Sequence, residues 1–357
     1  MGEMVRNVEP GKANAATVDV LAQIWRRVLQ REHVGLDDRF YDVGGTDPLA
    51  DRLFAEIAGV FDRWLPAATI CHAPTITALA AVLEQPSLPR FSPFVKLKDG
   101  NKKTPVLITH GLGGRASFSE LAKHIFTEHP IYGIQAIGVD GLEQPLDRIE
   151  DMAKFYLEAL GRLQPQGSCL LIGYSFGGLV ALEMAQRLAA EGKTVPLLAL
   201  VDTYPHPRYL ALGQRSSLMA KRITGHISDL RNKPLGTAFS QAAGFVTRQL
   251  HIAGEGKPRP ASGGSSRLSF AETTVRVKER DLSALKRYRP RFYPGKMKFV
   301  RPESNSYLPT DPTAVWKKIA AEFQVDTVPG DHLGMIATHF ESLAEVLTRY
   351  VQDANAE

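Results

Sequence analysis

The apolar run CLLIGYS (169–175) passes straight into the helical pattern GGLVALEMAQRLAAEG (177–192) through the segment GYSFGG. A strand can become a helix without a connecting loop only through a tight, glycine-flanked bend. The same alternation recurs on either side. TPVLITHG (104–111), IYGIQAIG (131–138) and PLLALVDTY (196–204) read as buried strands, and RIEDMAKFYLEALGRL (148–163) as a helix between two of them. KMKFVRP (296–302) and FQVDTVPG (323–330) resume the strand character, and HFESLAEVLTRYVQ (339–352) ends the pattern as an amphipathic helix. Wholly apolar strands alternating with helices imply an α/β fold, a mostly parallel sheet covered on both faces. From about 205 to 285 the alternation stops, and a polar, basic, partly helical insertion is expected.

The residues before this region follow a different period. In TVDVLAQIWRRVLQ, Val18, Leu21, Ile24, Trp25, Val28 and Leu29 share one helical face, and Leu49, Leu53, Phe54, Ile57 and Val60 do the same in DPLADRLFAEIAGVF. PTITALAAVLEQ adds a short helix with proline near its start, where a missing N–H costs nothing. QPSLPRFSPF (85–94) then holds three prolines and no hydrophobic period. The chain is expected to divide into a small helical bundle over 1–86, a semi-rigid linker over 87–94 and an α/β domain over 95–357.

Bulk properties narrow the function classes. The 357 residues are 44% hydrophobic and 23% charged, enough apolar surface for two cores. No stretch approaches the ~18 consecutive apolar residues of a membrane helix. The start, MGEMVRNVEPGK, lacks the apolar run of a secretory signal. Cys71 and Cys169 are too few for a disulfide framework, so a cytoplasmic location is expected. The net charge of +5 is uneven: 8 Lys/Arg stand against 12 Asp/Glu over 1–88, and 19 against 5 over 205–298. Such a basic stretch attracts acidic or phosphate-bearing partners. No zinc-finger spacing or aromatic RNA-binding signature accompanies it, so neither nucleic acid nor membrane is the expected partner.

GYSFGG fits G-x-S-x-G in the strand–helix context that raises a serine to the carboxyl edge of a sheet, which makes Ser175 the candidate nucleophile. The helix starting at Phe176 directs free N–H groups at a developing oxyanion. His332, in VPGDHLGMI (328–336), sits in a strand-end loop and completes the order Ser…Asp…His. His110 competes as the base. It opens HGLGG at the end of the first strand after the linker, and is assigned to shaping that loop, with the Leu112 N–H as a second oxyanion donor beside that of Phe176. Asp202, ending LLALVD, is favoured as the acid; Glu303, Asp311 and Asp331 remain alternatives. No metal is expected.

GYSFGGLVALEMAQRL, LVDTYP and VPGDHLGMI together resemble the thioesterase domain that ends nonribosomal peptide and polyketide synthases. The resemblance spans roughly 95–352. It implies an α/β-hydrolase with a mobile lid, here about 205–285, and supports Asp202 as the acid. It further implies that Ser175 receives an acyl chain from a pantetheine thiol and yields it to water or to a nucleophile in the chain. A general carboxylester hydrolase and a non-catalytic interaction module of a synthase are the alternatives.

Residues 14–86 resemble the acyl or peptidyl carrier domain that precedes such a thioesterase. DDRFYDVGGTDPLA follows its D-x-F-x-x-x-G-G-x-S-L pattern without the serine. The attachment position falls on Asp47, and a carboxylate cannot form the phosphodiester, so no phosphopantetheine is expected there. Thr46 carries a hydroxyl one residue early. Three readings follow: a carrier that lost its arm and now docks, a carrier blocked by an introduced aspartate, or an arm elsewhere. Pro48 also departs from the pattern and favours the first. Loading would then occur in trans, from another carrier or coenzyme A, with further synthase domains as possible upstream partners. Locally, Asp47 suits an N-cap and Pro48 the first helical position.

Overall fold

The computed structural model describes residues 14–87, 91–116, 118–163, 168–203, 268–304 and 312–356. Most of the expected insertion, 204–267, and Asp311 lie outside the described residues. No helix among them is long and apolar enough to cross a membrane.

The N-terminal region is a bundle of α1 (Ala15–Leu29), α2 (Asp47–Phe61), the single turn α3 (Thr69–His72) and α4 (Ile76–Leu83). Leu21, Ile24, Trp25 and Val28 of α1 are buried against Leu53, Phe54 and Ile57 of α2 and Ile76 and Leu79 of α4. Trp25 meets the edge of Phe40 at 5.2 Å between ring centroids. Phe40 explains the second glycine of the Gly44-Gly45 pair: a Cβ at Gly45 would fall 2.3 Å from the Phe40 ring. The start of α2 differs from the sequence expectation. Thr46 is the extended N-cap residue, and Asp47 lies inside the first turn. Its carboxylate is drawn to Arg115 rather than to the helix's own N–H groups.

The α/β region is built on a seven-stranded sheet in the order β1-β3-β2-β4-β5-β6-β7. These are β1 (Phe94–Lys98), β2 (Val106–Thr109), β3 (Ile131–Ile134), β4 (Leu170–Tyr174), β5 (Leu197–Val201), β6 (Tyr293–Pro302) and β7 (Ala320–Val328). Among the described residues only β1 runs antiparallel, against β3, so the sheet begins at Phe94, within the stretch expected to be linker. Strands β2, β3, β4 and β5 are buried along their whole length, as their unbroken apolar runs require. Helices α5 (Ser119–His124), α6 (Ile149–Leu163) and α7 (Phe176–Ala190) cover the sheet, followed by α8 (Phe270–Arg287), α9 (Thr313–Trp316), α10 (Gly334–Ala337) and α11 (Phe340–Ala356). Helix α8 occupies what the sequence suggested was the end of the insertion. Its Ser269 and Glu272 form a reciprocal capping box, so the helix has a defined start.

The strand order reverses direction between β2 and β4. In open parallel sheets the crevice beyond the carboxyl ends of strands at such a switch point is the usual ligand position. The loop after β2 and the bend after β4 both open there.

Candidate active site

Ser175 sits between β4 and α7 with φ 55° and ψ −122°, a conformation that a side-chain-bearing residue adopts only when its surroundings enforce it. Its N–H donates to the Val201 carbonyl at 2.8 Å, and its carbonyl accepts from the Gly178 N–H at 3.1 Å. The Thr109 hydroxyl donates to the Gly177 carbonyl at 2.7 Å, joining β2 to the bend. A Cβ at Gly177 would stand 2.2 Å from the His110 carbonyl oxygen, so only glycine allows α7 to approach the sheet this closely.

Asp202 follows β5, with a fully buried side chain. Its N–H donates to the Val300 carbonyl at 2.8 Å, which seats it between β5 and β6. Its Oδ2 lies 2.7 Å from Nδ1 of His332, across 130 positions of sequence. The structure therefore brings the favoured acid and base together. Of the alternative acids, Asp331 accepts the Gly334 N–H at 2.7 Å and serves the local turn, and Glu303 is exposed.

Tyr174, the residue before the serine, holds the histidine loop. Its ring stacks on the His332 imidazole at 5.0 Å and 21°, and its hydroxyl donates to the His332 carbonyl at 2.7 Å. Sequence reasoning did not single out Tyr174. The signal was the bulky aromatic in G-Y-S, adjacent in the chain to the serine and therefore fixed near it.

His110 is fully buried with both ring nitrogens engaged. The Gly111 carbonyl, 2.8 Å from Nδ1, can only accept, so Nδ1 carries the proton. Nε2 then accepts the Tyr156 hydroxyl at 2.9 Å. Burial pushes the imidazole down to about 4, which keeps it neutral. Its two contacts tie the start of the loop after β2 to Tyr156 of α6. That loop turns from Gly111 to Gly114, whose N–H donates to the Gly111 carbonyl at 3.3 Å. Leu112 lies within the turn with an exposed side chain. A Cβ at Gly111 would stand 3.9 Å from that of Ser175, so the turn passes beside the serine. Phe176 is the first residue of α7, buried and stacked on His110 at 6.1 Å.

Asp47 is placed against the α/β region. Its carboxylate pairs with the Arg115 guanidinium and accepts the Tyr41 hydroxyl at 3.3 Å. Arg115 donates to the Tyr41 hydroxyl at 3.2 Å and lies 4.7 Å from the centre of the Phe270 ring. Two more acidic residues of the bundle join this junction. Asp42 takes the Lys123 ammonium at 2.6 Å, and Asp51 accepts the Phe270 N–H at 2.7 Å. Two basic residues of α8 are likewise committed within the chain, Arg280 and Arg287 lying 3.7 and 2.9 Å from Asp147. No group of three or more metal-binding side chains occurs among the described residues.

Comparison with known proteins gives consistent matches. The model of the thioesterase domain matches residues 106–350. The dimodular nonribosomal peptide synthase of Bacillus subtilis (strain 168) is 30% identical over 294 residues, covering 79% of this chain and 12% of that protein. The malpibaldin synthetase of Mortierella alpina is 36% identical over 187 residues, 51% of this chain and 3% of that protein. The chain thus spans a small part of either relative. A four-domain nonribosomal peptide synthetase, solved in holo form with AMP and glycine, matches 98% of this chain and 26% of its own at 19% identity and TM-score 0.54. That match is one of fold, and it extends over the bundle as well as the sheet.

Proposed function

The chain belongs to the thioesterase family, and we propose that it transfers a thioester-bound acyl or peptidyl chain onto Ser175 and then releases it. The observation that carries this reading is the 2.7 Å contact between Asp202 and His332, beside a strained serine whose neighbour Tyr174 holds the histidine. Asp202 fixes the tautomer with the proton on Nδ1, which leaves Nε2 free of a proton and able to act as base.

In the first step Nε2 of His332 takes the Ser175 hydroxyl proton as Oγ attacks the thioester carbon. The carbonyl π pair moves to oxygen, where the Leu112 and Phe176 N–H groups stabilise the charge. Collapse of that intermediate breaks the C–S bond, and the imidazolium returns its proton to the departing thiolate. In the second step water, or a hydroxyl or amine of the chain itself, loses a proton to His332 as it attacks the acyl carbon, and the imidazolium then passes that proton to Ser175 Oγ as the acyl–oxygen bond breaks. Splitting one transfer into two lowers the barrier of each.

The substrate class rests on the family and on the relatives being peptide synthetases. In the bundle, the arm position holds a carboxylate already paired with Arg115, which supports loading in trans from another carrier or coenzyme A. The expected insertion of about 205–285 is proposed as a lid whose basic charge favours such phosphate-bearing donors. Parallel turnover of acyl-pantetheine thioesters and simple oxyesters tests the reading. Thioester cleavage that disappears in Ser175→Ala is expected; turnover of oxyesters alone would contradict it.

A further inference from the structure

Helix α8 presents one continuous stripe, Phe270, Thr274, Val277 and Asp281, to the loop after β2. The spacing of four, three and four residues keeps these side chains on one helical face. Each of the first three meets a different residue of the loop. Phe270 stacks under Arg115, a Cβ at Gly113 would touch the Thr274 methyl at 3.1 Å, and one at Gly114 would fall 2.7 Å from Val277. Asp281 completes the stripe by accepting the Gly113 N–H on Oδ2 at 2.9 Å.

We infer that Asp281 is a positioning residue for the oxyanion turn, holding the peptide plane after Leu112 so that the Leu112 N–H stays directed at the acyl oxygen. The inference rests on the acyl-transfer reading above and adds a residue to its machinery. Gly113 lies at φ 95°, and its N–H needs a buried acceptor if the turn is to keep this shape. Asp281 is fully buried, and its other oxygen, Oδ1, has no hydrogen-bond partner among the described residues. A fold optimised only for stability has little reason to bury a half-satisfied carboxylate. Burial pushes the Asp281 carboxyl up to about 7, while the Gly113 N–H pulls in the opposite direction. An amide oxygen at this position could accept the same N–H, so asparagine is the informative replacement.

The test measures kcat and KM for an acyl-pantetheine thioester in wild type, Asp281→Ala and Asp281→Asn, with thermal melts to establish folding. Losing an oxyanion donor outright lowers kcat about 10²–10³-fold, so a donor left loosely aimed should lower it at least about tenfold. Asp281→Ala should show that loss in kcat with KM within about threefold, because ground-state binding does not use the oxyanion. Asp281→Asn should recover kcat to within about threefold of wild type. If Asp281→Ala does not fold, the Asn protein decides alone: near-wild-type kcat supports the inference, and a loss as deep as that of an outright donor overturns it. An Ala protein with undiminished kcat, or an effect confined to KM, would overturn the inference and leave the acyl-transfer reading standing. A folded wild-type protein without thioester turnover would overturn both.

Discussion

The carboxylate of Asp47 is paired with the guanidinium of Arg115, joining the first turn of α2 to the loop after β2. On the proposed reading of the bundle as a former carrier, the covalent arm would stand at this position. Here it is a contact between the bundle and the α/β region. The two side chains are 31% and 22% exposed, so the pair is partly shielded from water. A double-mutant cycle of Asp47→Ala and Arg115→Ala should give a coupling of about 1 kcal/mol, above the median for surface pairs. Melting temperatures of the four proteins provide the measurement, and additive effects would show that the pair contributes nothing.

Asp47 also decides whether the bundle can be primed. With coenzyme A and a broad phosphopantetheinyl transferase, the intact protein should gain no mass. Asp47→Ser combined with Pro48→Leu should gain one phosphopantetheine. Priming of the unaltered protein, mapped to Thr46 or any other residue, would refute the reading of the bundle as a docked former carrier.

Asp202→Asn should retain the fold and lose most of the activity. An asparagine can offer its NH₂ to Nδ1 of His332 and so stabilise the tautomer with the proton on Nε2, which cannot act as base. In a serine-protease triad the same exchange lowers kcat about 10⁴-fold. A loss under about tenfold would return Glu303 and Asp311 to consideration.

His110 makes a prediction about stability against pH. Its imidazole falls from its ordinary 6.5 to about 4 on burial, so between those values the unfolded chain binds a proton that the folded chain refuses. Its contribution to stability is therefore complete above pH 6.5 and lost as pH falls toward 4, by at most about 1.4 kcal/mol per pH unit. His110→Gln, which can still accept from Tyr156, should lose stability less steeply than wild type across that interval. Parallel curves in chemical denaturation would contradict the assignment.

The sequence made the sheet and the site legible where a local pattern coincided with a global requirement. Strands β2, β3, β4 and β5 are buried on both faces, so their apolar runs stand out, and the bend at Ser175 demands its glycines. Strand β1 was missed because five residues behind a proline-rich stretch carry no comparable run. Asp202 and His332 could be read from their strand-end positions, but their contact bridges 130 positions that no local pattern spans. Arg115 and Asp281 were invisible for the same reason: each acts on a partner distant in sequence. Asp47 was recognised as anomalous from its motif, and the helix-cap role expected for it gave way to an ion pair with a different region of the fold.

The most direct measurement is the identity of the covalent intermediate. Protein quenched during turnover of an acyl-pantetheine thioester, or after reaction with a fluorophosphonate, should carry one adduct that maps to Ser175. The adduct should be absent from Ser175→Ala and strongly reduced in His332→Ala. A folded wild-type protein that carries no adduct, or carries one on another residue, would contradict the account.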